Sequence, residues 1–124
     1  MLPLHQTHQI EIALQDHHSA IHVGSGDLPV FGTPAMIALM ENASVQLVAP
    51  YLEEGASTVG IHLEVDHTRA TAIGQTVRIS ATLEAVDGRK LSFSLLAEDD
   101  KGEIGRGTLE RFIVYREKFM SKLA

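Results

Sequence analysis

The chain has 124 residues, 44% of them hydrophobic and 21% charged, which suits one globular domain with its own core. Its formal net charge of −6 argues against a nucleic-acid surface, and the absence of cysteine excludes disulfides, thiolate metal sites and a cysteine nucleophile. No apolar run approaches the roughly 20 residues of a membrane span, and Met1-Leu2-Pro3-Leu4-His5 has no basic n-region or signal-peptide core. A single domain over residues 1–124, cytoplasmic and without a membrane partner, is therefore expected.

Residues 8–14 alternate around Ile10, Ile12 and Leu14 and predict a first strand. Asp16 to Asp27 is polar and glycine-rich, which reads as a loop, partly extended over Ala20-Ile21-His22-Val23. A helix should follow. Thr33 is a suitable N-cap, Pro34 suits the first helical position, and Pro50 should end a run that continues through Ala49. This helix is apolar nearly all round, so it should be buried. Glu41 interrupts it, with Ile37, Ala38, Ser44 and Val45 one turn away. A buried carboxylate is costly unless paired or protonated, which points to catalysis or an ion pair; a Glu at the helix edge facing solvent is the plain alternative.

Tyr51 to Gly55 reads as a surface turn, and four strands follow. Thr58 to Val65 puts Val59, Ile61, Leu63 and Val65 on one face, and Thr76 to Val86 does the same with Val77, Ile79, Ala81, Leu83 and Ala85. Asp87-Gly88 is a hairpin turn, Lys90 to Glu98 pairs back, and Asp99-Asp100-Lys101-Gly102 is a second turn. Glu103 to Tyr115 is a long last strand carrying Ile104, Leu109, Phe112 and Val114, and Arg116 to Ala124 is an amphipathic tail with Phe119 and Leu123 as apolar contacts. An antiparallel sheet with one apolar face must cover it, and one long apolar helix is available. The expected class is α+β: a hotdog fold, its antiparallel sheet wrapped around the central helix.

His67 shares the parity of Ile61, Leu63 and Val65, so it should point towards the helix side, where a histidine can serve as a general base; a surface histidine just past a strand end is the alternative. Thr33 and Glu41 are eight residues apart, or about 12 Å along a helix rising about 1.5 Å per residue. Either a substrate spans them or a second subunit supplies one of them. Two such helices antiparallel about a two-fold axis would bring Thr33 of one copy near Glu41 of the other, so a homodimer, or a dimer of dimers, is expected. The free N–H groups of the helix N-terminus suit a developing oxyanion on a thioester carbonyl.

Thr33, Glu41 and His67, set in Gly32-Thr33-Pro34, Met40-Glu41 and Val65-Asp66-His67-Thr68, resemble the Thr/Glu/His set of the fluoroacetyl-CoA thioesterase family of hotdog proteins. The similarity continues through Ala49-Pro50-Tyr51-Leu52-Glu53, Gly60, Val86-Asp87-Gly88-Arg89-Lys90-Leu91-Ser92-Phe93, Glu103-Ile104-Gly105, Gly107-Thr108 and Glu117-Lys118-Phe119. It implies hydrolysis of an acyl-CoA thioester by catalytic Thr33, Glu41 and His67, with no metal and no cofactor beyond the coenzyme A of the substrate. Val23, Phe31, Gly60 and Arg111 are the corresponding candidates for substrate binding. The fluoroacetyl-specific member carries phenylalanines before the threonine that form a lid over the acyl group. Here that stretch reads Ile21-His22-Val23-Gly24-Ser25-Gly26-Asp27-Leu28, which points to a general short or medium acyl-CoA thioesterase.

The residues leave the mechanism open. His67 would act as base towards water or Thr33, while Glu41 would orient His67 or attack the carbonyl itself. Arg69, Arg78, Arg89, Lys90, Arg111 and Arg116 are candidates for CoA phosphates. His17, His18 and His22 lack the carboxylate pattern of a metal site. An enoyl-CoA hydratase is a second reading, disfavoured because Asp66 and His67 would point to opposite faces of a strand. A non-catalytic acyl-CoA binding module is a third.

Overall fold

A computed structural model describes all residues, 1–124. In chain order the elements are β1 (Thr7–Ala13), a short helix α1 (Ala20–Val23), the long helix α2 (Thr33–Val48), then β2 (Ala56–His67), β3 (Thr76–Asp87), β4 (Lys90–Asp99), β5 (Gly102–Tyr115) and a C-terminal helix α3 (Arg116–Ser121). The strands form one antiparallel sheet in the order β1-β3-β4-β5-β2. Helix α2 packs on one face of it, touching β1, β2, β3 and β4.

Periodicity explains the core. Val77, Ile79, Ala81 and Leu83 of β3 and Leu91, Phe93, Leu95 and Ala97 of β4 alternate inward and are buried with Met36, Met40, Ala43, Leu47 and Val48 of α2. Removing a side chain of this kind costs about 2–5 kcal/mol, the lost transfer energy plus the cavity left behind.

The helix is less enclosed than its composition suggests. Pro34, Ala38, Asn42 and Gln46 form an exposed stripe one turn apart. Gly32, not Thr33, is the N-cap, with Thr33 in the first helical position and Pro34 in the second. Residues 20–23 turn into helix α1 rather than extending, because the Ser19 side chain accepts from the His22 N–H and Gly24 closes the turn at φ 74°.

Three register slips correct the strand faces, in β2, in β3 and between β4 and β5 after Ala97. In β2 the register slips between Gly60 and His62, leaving Ile61 as the extra residue, 52% exposed. Parity therefore flips: Ala56, Thr58 and Gly60 face the helix before the bulge, and Leu63, Val65 and His67 after it. Val59 and Ile61 do not share that face. In β3 a second slip after Leu83 turns Ala85 out to solvent. In β5 the inward residues are Ile104 at the slip opposite Ala97 and then Leu109, Arg111 and Ile113; Phe112 lies on the other face under the Arg89 guanidinium, 5.1 Å from its ring centroid. Leu123 is 67% exposed and is not the apolar anchor of the tail.

Candidate active site

The N-terminus of α2 and the end of β2 meet. Thr33 Oγ1 lies 2.9 Å from His67 Nδ1. Backbone contacts fix both partners: the Phe31 N–H donates to the Thr71 carbonyl, the Gly32 N–H to that of His18, and the Thr68 N–H to that of Ile104. Gly105 is the β5 partner of His67, and a Cβ there would stand 2.9 Å from both Sδ and Cε of Met36. The Met36 tip could shift, but the same Cβ would also stand 2.9 Å from the Asp66 carbonyl oxygen, a backbone atom that cannot, so the position favours glycine. Because Thr33 sits one place inside the helix, its hydroxyl is free of capping and available to the imidazole.

Phe31 is buried and presents its ring edge-on to His67, with centroids 6.0 Å apart. Burial pushes the His67 pKa down from its ordinary value, and the nearby Arg69 backbone partly opposes that fall. The ring is therefore neutral at neutral pH, the form in which Nδ1 accepts the Thr33 proton. A cleft of about 260 Å³ opens over the pair, its walls formed by Ala20, Ser25, Val30, Phe31, Thr68 and Arg69. Val23 is not part of that lining; it leans on the backbone at Gly32, where an added Cβ would lie 3.0 Å from Val23 Cγ2.

Glu41 belongs to a different cluster. Its Oε2 accepts from Arg111 Nη1 at 2.8 Å. Arg111 is only 7% exposed, and its remaining donors go to the Thr58 hydroxyl and carbonyl, each at 2.9 Å. Burial lowers the Arg111 pKa and the Glu41 carboxylate opposes that shift. Gly60 floors the cluster: a Cβ there would come within 2.8 Å of Glu41 Oε2. A second cleft, of about 350 Å³, is lined by Glu41, Gly60, Ile61, His62, Leu63 and Leu109. Glu41 is thus neither free at the helix edge nor fully buried; its side chain is 38% exposed and faces this second cleft. No ion pair joins it to His67 within the chain.

The candidate cations are largely engaged. Lys90 lies 3.5 Å from Glu110, Arg89 covers Phe112, and Arg78 donates to the Asp99 carbonyl. His17 and His18 stack at 3.9 Å, and no three His, Cys, Asp or Glu side chains are grouped to hold a metal ion. No helix is long and apolar enough to cross a membrane. The sequence reading missed the role of Thr58, whose hydroxyl and carbonyl hold Arg111, and it missed Asp99. Asp99 reads as a turn residue in the sequence, yet it continues the inward parity of Leu91 to Ala97 and is 4% exposed. That period of two was the available signal.

Residues 14–117 match the family of fluoroacetyl-CoA-specific thioesterases. A fluoroacetyl-CoA thioesterase from Streptantibioticus cattleyicolor is 47% identical over 94 residues, 76% of this chain and 68% of that protein. The solved structure of the fluoroacetyl-CoA thioesterase FlK superposes with a TM-score of 0.94 at 36% identity, covering 99% of this chain and 96% of that one. A hot-dog-like protein from Thermanaerovibrio acidaminovorans shares the fold at 20% identity, with a TM-score of 0.90 over 98% of this chain and 90% of its own.

Proposed function

The chain belongs to the fluoroacetyl-CoA-specific thioesterase family, and we propose that it hydrolyses short or medium acyl-CoA thioesters at a site shared between two copies of the chain. The observation that carries this reading is the 2.9 Å contact between the Thr33 hydroxyl and His67 Nδ1, at the N-terminus of a helix whose one carboxylate, Glu41, lies in a separate cleft.

The chemistry follows from the pair. His67 Nδ1 takes the hydroxyl proton as Thr33 Oγ1 attacks the thioester carbon. The negative charge that gathers on the carbonyl oxygen is held by the unpaired N–H groups of the first helical turn. When the tetrahedral species collapses, the C–S bond breaks and the imidazolium returns its proton to the departing CoA thiolate. Water then attacks the acyl carbon while a carboxylate on the open side of the cleft takes its proton; the C–Oγ1 bond breaks, that proton returns to Thr33 Oγ1 by way of His67, and the free acid leaves.

Glu41 of a second copy fits that last role. Within one chain it is about 12 Å from Thr33 along the helix and bonded to Arg111. Two features support pairing with another copy. Strand β2 bonds only to β5, so its other edge is open, and the Pro34–Ala38–Asn42–Gln46 stripe of α2 is uncovered. Antiparallel helices about a two-fold axis would place each Glu41 near the other Thr33. Coenzyme A enters as part of the substrate and the reaction needs no further cofactor.

A panel of acyl-CoAs, followed separately for free thiol and for enoyl absorbance, tests the reading. Thiol release that stoichiometrically matches free acid is expected. Loss of enoyl absorbance without thiol release would establish a hydratase instead, and binding without turnover would establish a carrier.

A further inference from the structure

Behind the Thr33–His67 pair, and outside it, lies a buried ionic cluster. The Asp99 carboxylate accepts Arg69 Nη2 at 2.7 Å and Nη1 at 3.3 Å, the Thr71 hydroxyl at 2.9 Å and the Lys101 N–H at 2.8 Å. Arg69 Nη2 also donates to the Gly102 carbonyl at 3.0 Å. Asp99 is 4% exposed and Thr71 3%. Burial alone would raise the Asp99 pKa, but the hydrogen bonds from Arg69, Lys101 and Thr71 outweigh it and hold the carboxyl below its ordinary value. The cluster is therefore ionised and fully bonded.

Its position is what matters. Arg69 is two residues beyond His67, and Thr71 accepts the Phe31 N–H through its carbonyl, two residues before Thr33. One carboxylate therefore grips the chain on both sides of the reacting pair. His67 Nε2 is buried with no hydrogen-bond partner. The backbone of Arg69 is the neighbour that interacts with the ring.

We propose that Asp99, with Arg69 and Thr71, is a positioning unit that holds segment 68–71 so that His67 keeps Nδ1 turned to the Thr33 hydroxyl. The proposal rests on the reading of Thr33 and His67 as the reacting pair. Asp99 touches no substrate; it acts through the segment it anchors. The charged groups around His67 are Asp66 and Arg106 on β2 and β5, Arg69 after it, and His18 beyond Phe31; none of them forms an ion pair with it. Its titration consequently reports burial and backbone geometry.

The test is Asp99→Asn in the full-length protein, read by NMR of 15N-labelled histidine and by thioester hydrolysis. In the variant the His67 pKa is expected to rise towards about 6.5 as water enters, and the Nδ1 acceptor signature should weaken. Turnover should fall about 10- to 100-fold, the scale of a small misplacement of reacting groups, a larger change than that in KM, to which the cleft walls at Thr68 and Arg69 also contribute. Thr71→Val should act in the same direction and Thr71→Ser should restore both readings. If Asp99→Asn does not fold, the Thr71 pair carries the test alone. A folded variant whose His67 titration and tautomer match the wild type overturns the proposal, whatever its activity. Wild-type protein inactive on every thioester, with His67 still shifted in the variants, would sink the thioesterase reading and leave the positioning role standing.

Discussion

Gly60→Ala probes the Glu41 cluster without removing any polar group. The new Cβ would stand 2.8 Å from Glu41 Oε2 and 3.4 Å from Arg111 Nη1. Ordinary van der Waals contact begins near 3.4 Å, so the carboxylate must retreat by about 0.6 Å. Gly60 is not among the glycines with positive φ, so the backbone accepts alanine without strain. The cost falls on the Glu41–Arg111 hydrogen bond. A charge-assisted bond is worth about 1.5–3 kcal/mol; with the Glu41 side chain 38% exposed, solvent screening reduces its loss to about 1 kcal/mol. The expected fall in Tm is about 3–5 °C for a chain of this size. If Glu41 works where Arg111 holds it, a displacement of this order should lower kcat about 10- to 100-fold. Calorimetry and steady-state thiol release on the same preparation give both numbers. A folded Gly60→Ala protein with kcat within twofold of wild type would refute the claim that the placement of Glu41 matters.

His67→Ala should lower kcat by about 10²–10⁴-fold, and adding Thr33→Ala should make little further difference, because groups acting as one unit are non-additive; full multiplicativity of the two losses would separate them. Since burial lowers the His67 pKa, activity should rise with pH through a limb centred below about 6.5 and be level above it; a limb centred above 7 would contradict a desolvated ring. The same sign applies to stability. His18 and His67 both have lowered pKa values, so the folded state should lose stability as the pH falls from about 6.5 through those values, visible as a drop in Tm. The cleft over Thr33 is walled by Ala20, Ser25, Val30 and Ala70 together with Phe31, Thr68 and Arg69, and none of these is placed to hydrogen-bond a single fluorine selectively. Acetyl-CoA and fluoroacetyl-CoA should therefore differ in kcat/KM by less than about 200-fold, the ceiling for packing around one small group; a preference of several further orders of magnitude would show a recognition device these residues do not supply.

The helix, the five strands and both hairpins were legible because long stretches of each keep one period, and because Pro50 stands just past the helix and Gly88 and Gly102 mark the two hairpin turns. The register slips were not. A slipped register leaves no mark on composition, and it reversed the faces assigned to Val59 and Ile61 and turned Ala85 outward. Thr33, Glu41 and His67 stood out as polar residues in apolar surroundings, but how they group depends on contacts far apart in sequence. That Arg111 answers Glu41 follows from the β2–β5 register, in which Arg111 pairs with Gly60. That Thr33 turns to His67 follows from Gly32 taking the cap. Asp99 was hidden by its place beside Asp100 and Lys101, where turn chemistry masked the alternation that carries it inward.

Mixing Thr33→Ala and Glu41→Ala chains under subunit exchange tests the shared site most directly. Each variant alone should be nearly inactive. In a random mixture half the dimers carry one chain of each kind, and each such dimer holds one intact Thr33–His67 pair facing one intact Glu41. Activity should return to about a quarter of the wild-type level per chain, the value set by two-fold symmetry. Heterodimers verified by mass spectrometry that remain as inactive as the parent variants would contradict a site built from two copies.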